Sequence, residues 1–478
     1  MPLSASQPPK IQIPSKPNLI KLTQDIDFFD LFKRIEAKFE TCFLLESLGA
    51  ESHMSRHHAI GFDPAQTIFA KDRYTLSITD NRTGVTTDYP CDNPYFELQK
   101  ITPQHVINRS HTGGLVGFLG YDSVNFFEPS LNLKSSDMFE PFKFGLYLDG
   151  LTFDKMTGEI FYFYYDLETH AKSQSNRVEQ IQALLTAELP HYMPPITQFL
   201  GDGMTAEEHA KTVLKVKEDI KAGLIFQCEV GFKSHYQIYG ETLPIYEKLR
   251  EVNPSPHMYY VKFGEQKIIG ASPELLFRLR NGEMETFPLA GTTKRGNDDT
   301  EDRILARKLL NDPKEIAEHN MLVDLHRNDI GRVAQFGTVK VRSLMDIKKF
   351  SHVQHISSEI VGILHPEHDM FTAIASNFPA GTLSGAPKIE AIKILNELEP
   401  DGRGVYGGAL GQFCFNGDCI FAIPIRSLFI KGNQGYAQTC GGNVYDSNPA
   451  DEYEEIVRKL SAMKVVLATF DSKQCEWR

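Results

Sequence analysis

Short apolar runs separated by turn residues dominate the first third of the chain. Between Leu19 and about Asp166, segments such as TCFLLES, YTLSITDNRTG, GGLVGFLGY, FGLYLDGLTFD and EIFYFYY are rich in β-branched and aromatic side chains. Runs of this kind, bounded by Gly, Asn and Asp, predict strands of an antiparallel sheet. The period then changes. A polar stretch from Thr169 to Glu188 predicts a helix, and HYMPPITQFLGDGM, with its Pro pair and glycines, predicts a linker. Thr205 to about Gly223 has helical periodicity, and Thr205 with Glu208 after it forms the capping-box pattern. Strands and helices alternate irregularly from there to a final helix, Asp451 to about Phe470. No long internal repeat marks a solenoid. The pattern predicts an α+β fold: a flexible arm over residues 1–18, a smaller sheet-rich domain over 19–190 and a larger domain over 204–470.

Composition narrows what such a fold can do. A chain of 478 residues exceeds one small core, and 41% hydrophobic with 23% charged residues is ordinary globular composition. The N-terminal MPLSASQPPKIQIPSKPNL lacks the apolar centre of a signal peptide, and no apolar run approaches the roughly 18 residues that span a bilayer. A cytoplasmic protein is expected. The net charge of −12 disfavours nucleic acid and anionic membranes as partners. It also means that an anionic substrate would need positive charge from a metal or from placed Arg and Lys. The seven cysteines are scattered without a C-x-x-C pair, as expected of reduced thiols.

Nucleotide-binding readings fail on spacing. GTLSGAPK has Gly381 and Gly385 four apart, one short of P-loop spacing, Ala386 stands where Lys must follow and Lys388 comes too late. Two acidic pairs say more. Glu315 and Glu318 share a helix face, as do Glu452 and Glu455, with Lys459 one turn beyond Glu455. Each pair is either a solvated face or half of a Mg²⁺ site, since that ion takes one or two direct carboxylates, waters and an anionic substrate group. His352 and His355 are possible proton-transfer groups. Arg426 interrupts the apolar strand FAIPIRSLFI, where a buried guanidinium calls for an anion. In the turn TCGGNVYDSNP that follows, Gly441 and Gly442 would let backbone N–H groups approach a carboxylate.

The set ASPELLF, FPLAGTTKRG, DPKEIAEHNMLVDLHRNDIGRV, FSHVQHISSE, FPAGTLSGAPK, GVYGG, IPIRS and EYEEIVRKL resembles the chorismate-utilising enzymes, and within them the large subunits of anthranilate synthase. The likeness runs from about Thr205 to Thr469, and LLES with IGFDP extends it towards the N-terminus. It implies Mg²⁺ held by Glu318 and Glu455, with Glu315 and Glu452 beside them. It implies chorismate contacts at Gly291, Thr292, Thr382, Tyr406, Arg426, Cys440, Gly441, Gly442 and Lys459, although Cys440 stands where relatives usually have Gly or Ala.

By the same resemblance the reaction is addition of ammonia at ring carbon C2 with loss of the C4 hydroxyl, followed by elimination of pyruvate. Glu274 matches the acid position, and His355 is placed to assist removal of the C2 proton. Relatives that use water or a covalent lysine carry Lys where this chain has Gln227 or Ala290, so free ammonia is the expected nucleophile. No cysteine has the setting of a glutaminase nucleophile, which implies a separate glutamine amidotransferase subunit as the ammonia source. The alternatives are an aminodeoxychorismate synthase component I and a tryptophan-binding regulator without catalysis. Leu44, Leu45, Glu46 and Ser47 with Asn253, Pro254, Ser255, Pro256, His257 and Met258 match the family's regulatory L-tryptophan site, Ser47, Pro256, His257 and Met258 being the contact positions. His257 replaces the usual Tyr there.

Overall fold

The computed structural model describes residues 7–23, 26–48, 56–108, 112–167, 171–349 and 353–471. His352, Cys475 and residues 1–6 of the expected arm lie outside them. The architecture is α+β, built on two antiparallel sheets of twelve strands each.

Neither sheet parts near residues 190–204. In the first sheet Thr41–Glu46 pairs with His257–Phe263, and in the second Gly114–Leu119 pairs with Ala409–Cys414. Both sheets therefore join early strands to late ones. Alternation along the strands sorts their side chains into two cores. Phe43, Tyr259, Val261 and Phe429 of the first sheet pack with Phe118, Phe144, Phe413 and Phe421 of the second. The opposite face of the first sheet, with Leu44, Tyr260, Ile269 and Leu428, packs on helices through Phe32, Tyr246, Ile456 and Val466.

Several local readings need correcting. The linker expected at 191–204 contains a strand, Ile196–Asp202, at the edge of the first sheet, where it pairs with the long strand Gln227–Tyr239. Its Pro pair lies just before the strand, where no ladder hydrogen bond is lost. Residues 7–17, read as flexible, are tied down: the Ile11 amide donates to the Ile101 carbonyl at 3.0 Å, and Ile107 to that of Ser15 at 2.8 Å. The run FAIPIRSLFI is two strands, Cys419–Ala422 in the second sheet and Ser427–Lys431 in the first. Arg426 is at the crossover, with φ of 51°. The supposed turn at TCGG is the end of the strand Gln434–Asn443.

The helices that matter are begun by their caps. Thr205 and Glu208 form the expected capping box at the start of Ala206–Lys221. Asp312 caps Pro313–Gly331 and Asn448 caps Pro449–Ala468, each with Pro in the first turn, where the missing N–H costs nothing. Pro449–Ala468 buries Ile456, Leu460, Met463, Val466 and Leu467, an apolar stripe at helical spacing.

Candidate active site

Where the ends of the two sheets meet, a cavity of about 680 Å³ opens between the helices Pro313–Gly331 and Pro449–Ala468. Glu315 and Glu318 of the first helix and Glu452 and Glu455 of the second all line it. So do Glu274, Gly291, Thr292, His355, Thr382, Tyr406, Arg426, Cys440, Gly442 and Lys459. Gly441 does not. Gly231 donates its amide to Glu399 and Glu229 its own to Ser384, so Cys440 and Gly442 opposite them are not ladder-bonded there. Their amides face the open edge, while that of Gly441 faces the neighbouring strand.

Each reactive group is held from behind. The Glu274 amide donates to Ser272 Oγ at 3.2 Å, and Ser272 Oγ in turn to the Ile423 carbonyl at 2.7 Å. Thr382 Oγ1 donates to Glu274 Oε1 at 2.9 Å. His355 Nδ1 lies 3.0 Å from the Gly291 carbonyl and 3.0 Å from Thr292 Oγ1. A carbonyl only accepts, so Nδ1 carries the proton and Nε2 is the basic nitrogen. Gly291 is required: at φ of 66° its backbone suits glycine, and a Cβ would sit 2.8 Å from Glu315 Oε2.

Burial sets the protonation states apart. It pushes the Glu274 carboxyl up to about 8 against the Thr382 hydrogen bond, with the charge of Glu229 adding to it. Glu274 therefore keeps its proton at neutral pH. His355 is pushed down to about 4, by burial first and then by Arg426 and Lys459, against the hydrogen bond to Gly291. Glu315, Glu318 and Glu452 are raised by burial, and other members of the quartet add to each shift. Burial also acts upward on Glu455, but Lys459, at 2.8 Å, outweighs it and leaves that carboxyl below its usual range. Arg426 makes no ion pair among the described residues, and its left-handed backbone costs on the order of 1–3 kcal/mol. An uncompensated cation held at that cost marks a place for an anion.

Among the described residues no three His, Cys, Asp or Glu groups converge tightly enough for an all-protein metal site. The acidic quartet still fits Mg²⁺, which needs only one or two direct carboxylates and completes its shell with water and substrate oxygens. A cation there would relieve the mutual repulsion that adds to the effect of burial on three of the four.

A separate cavity of about 130 Å³ lies where the two sheets adjoin near Leu45 and is lined by Ser47, Pro256, His257 and Met258. Some of its wall charges are paired: Glu46 takes Arg250 Nε at 2.6 Å and the Tyr246 hydroxyl at 2.7 Å. The Ser47 hydroxyl is buried without a hydrogen-bond partner among the described residues.

Sequence reasoning missed Glu229, buried in the large cavity beside Gln227. The signal was there: an acidic residue two positions from Gln227 in the apolar run IFQCEVGF, hence on the same strand face.

A family model of chorismate binding enzymes matches residues 40–465. Anthranilate synthase component 1 of Leptospira biflexa is 52% identical over 96% of this chain and 98% of its own length. The protein so named from Methanothermobacter marburgensis is 41% identical over 91% of each. Anthranilate synthase component I from Streptococcus pneumoniae TIGR4 superposes with a TM-score of 0.75 at 31% identity, over 87% of this chain and 93% of that one. The menaquinone-specific isochorismate synthase of Escherichia coli shares the fold, with a TM-score of 0.72 at 18% identity over 96% of each chain. The chain belongs to the chorismate-binding enzyme family, on its anthranilate synthase component 1 branch.

Proposed function

We propose that the protein converts chorismate and ammonia into anthranilate and pyruvate, the step that commits chorismate to tryptophan. The observation that carries this is a pair of groups in one cavity with protonation states set in opposition. Glu274 keeps its proton at neutral pH and His355 sheds it.

Chorismate is a dianion. Arg426, Lys459 and the amides of Cys440 and Gly442 supply positive charge and donors for its carboxylates. Tyr406, its hydroxyl 3.1 Å from Cys440 Sγ, gives that wall an aromatic side. Glu274 hands its proton to the departing C4 hydroxyl, which leaves as water. His355 Nε2 then takes the C2 proton as pyruvate is eliminated and the ring becomes aromatic. A bound dianion offsets Arg426 and Lys459, whose charges depress His355, and so makes the imidazole a better base. Mg²⁺ would be held by Glu318 and Glu455 with Glu315 and Glu452 nearby, and would neutralise the ring carboxylate.

The nucleophile follows from what is missing. Gln227 and Ala290 both line the cavity, so neither place offers a lysine base or nucleophile. This favours ammonia over water and disfavours an aminodeoxychorismate synthase. The ammonia comes from a separate glutamine amidotransferase subunit, since no cysteine here has a glutaminase setting. L-Tryptophan inhibits by occupying the smaller cavity; a regulator without catalysis would have no need of the Glu274 and His355 arrangement. No helix among the described residues is long and apolar enough to cross a membrane, and the cytoplasm is the expected compartment.

The test is product identification with the purified chain, chorismate and Mg²⁺. Ammonium should give fluorescent anthranilate and pyruvate in equal amounts, and glutamine alone should give neither. An isolated amino intermediate without pyruvate, or product from glutamine, would overturn the reading.

A further inference from the structure

One carboxyl in the large cavity has no task in the reaction as described. Glu229, 7% exposed, lies in the strand Gln227–Tyr239 and shares a wall of the cavity with Gln227. Gln227 Nε2 donates to Glu229 Oε1 at 2.7 Å, and Cys440 Sγ donates to Glu229 Oε2 at 3.4 Å. The ionised Glu229 only accepts, and in that form it orients the Gln227 amide with its NH₂ facing Glu229 and its Oε1 turned elsewhere. That Oε1 is buried and has no hydrogen-bond partner among the described residues.

The wall thus presents an unsatisfied acceptor beside an anionic one. Such a place repels the carboxylates of chorismate. What it takes is a small ligand made of N–H donors. We infer that Gln227 and Glu229 form the ammonia subsite, and that Glu229 receives the proton released when ammonia adds to the ring. This rests on the reading of the cavity as a site for chorismate and ammonia.

The step balances. The nitrogen lone pair forms the bond to C2, the two ring double bonds shift, and the C4–O pair leaves with oxygen. That oxygen takes the Glu274 proton and departs as water. The nitrogen, positive and carrying three hydrogens, gives one to Glu229 and becomes a neutral amine. Glu229 ends one proton richer and Glu274 one poorer, and exchange with water resets both. Burial holds the Glu229 carboxyl at about 7 against the pull of Lys459, so it can take and release a proton near neutrality. Tyr406 donating to Cys440, and Cys440 to Glu229, hold the acceptor in place.

The experiment compares the full-length wild type with Glu229→Gln and Glu229→Asp. It measures anthranilate formation against ammonium at saturating chorismate, chorismate Kd by calorimetry, and pyruvate release from separately prepared amino intermediate. Glu229→Gln should lose roughly 10²-fold in the ammonia-dependent rate, as expected for a proton-transfer group. It should bind chorismate as the wild type does and still convert the amino intermediate, because that proton goes to His355. Glu229→Asp keeps the acceptor one methylene short, and should retain turnover with a raised KM for ammonium. An ammonia-dependent rate for Glu229→Gln close to wild type would overturn the inference. So would parallel loss of chorismate binding and both half-reactions in the two variants, which would make Glu229 a packing residue. A wild type that makes no anthranilate from ammonium brings down the reading of the cavity and this inference together. A working wild type beside an unimpaired Gln variant removes the inference alone.

Discussion

The two cavities of this protein differ in how their buried charges are balanced. In the smaller one Arg250 is bound to Glu46, and Arg278 on its wall donates to Glu285 at 2.6 Å. In the larger one Arg426 has no ion pair among the described residues, and three of four neighbouring carboxyls are driven above their usual range. Buried charges left unbalanced are expensive, and they persist where a ligand completes them. The large cavity is therefore built around missing ions, whereas in the small one the buried Glu46 and Arg278 already have their partners. Polar side chains alone would not have separated the two, since both have them.

The contrast breaks first at the metal. Glu318→Gln or Glu455→Gln should abolish turnover and weaken Mg²⁺ binding, because each removes one of the carboxylates proposed to hold the ion. Glu454, on the exposed face of the same helix, should tolerate the same change. Steady-state rates across a Mg²⁺ titration measure both, and equal losses at Glu454 would mean that the last helix presents a different face. His355→Ala comes next, with a loss of roughly 10²–10⁴-fold in turnover, the usual worth of a placed proton-transfer group. A rate within tenfold of wild type would reduce His355 to a packing residue.

The acidic pairs of the large cavity were legible in the sequence because they lie on regular elements, whereas most of its other lining residues were reached through the family resemblance. Glu315 with Glu318, and Glu452 with Glu455, share faces by helical spacing, and their caps, Asp312 and Asn448, stand where capping rules put them. What was not legible depended on tertiary pairing. Whether a glycine amide faces a cavity or a neighbouring strand depends on which carbonyl lies opposite, so Gly441 and Gly442 could not be told apart. FAIPIRSLFI reads as one strand because nothing local marks a crossover between sheets, which Arg426 makes in a conformation its own propensity disfavours. The division near residue 190 fits the run of element types, yet early and late strands pair across it in both sheets.

Glu274→Gln sharpens the contrast through pH. Removing the acid should cost about 10²-fold in turnover at neutral pH. In the wild type, the rate should fall as pH rises through about 8, where the folded carboxyl ionises. Stability follows the same group. Its carboxyl holds a proton in the folded state that the unfolded chain has already released, so the wild type loses stability as pH rises from the ordinary carboxylate range to about 8. Gln cannot ionise. The variant should melt higher than wild type at pH 8, by about 2 °C or more, and alike near pH 4. A variant that is no more stable than wild type at pH 8 would show that Glu274 is not buried as its surroundings imply.

The smallest effect belongs to the small cavity, and it decides whether the two cavities communicate. A route exists: His257, on its wall, pairs with Ser272, and Ser272 Oγ accepts the amide of Glu274. A second runs along Cys419–Ala422, whose Ile420 and Ala422 line the small cavity and whose continuation carries Arg426. A guest that shifts either strand moves the acid or the guanidinium of the other site. The proposed L-tryptophan guest would meet the Ser47 hydroxyl, unsatisfied among the described residues, and His257, held neutral by burial, would offer it a ring to pack against. Coupling between such sites is typically about 1–3 kcal/mol, or about 5- to 150-fold in apparent affinity. L-Tryptophan should therefore raise the apparent KM for chorismate within that range, and Ser47→Phe, which fills the cavity, should abolish the shift at unchanged uninhibited turnover. Titrating tryptophan into both proteins at subsaturating chorismate measures it. If the wild type ignores millimolar tryptophan, the smaller ring of His257 has cost the site its guest; if Ser47→Phe is inhibited equally, tryptophan acts elsewhere.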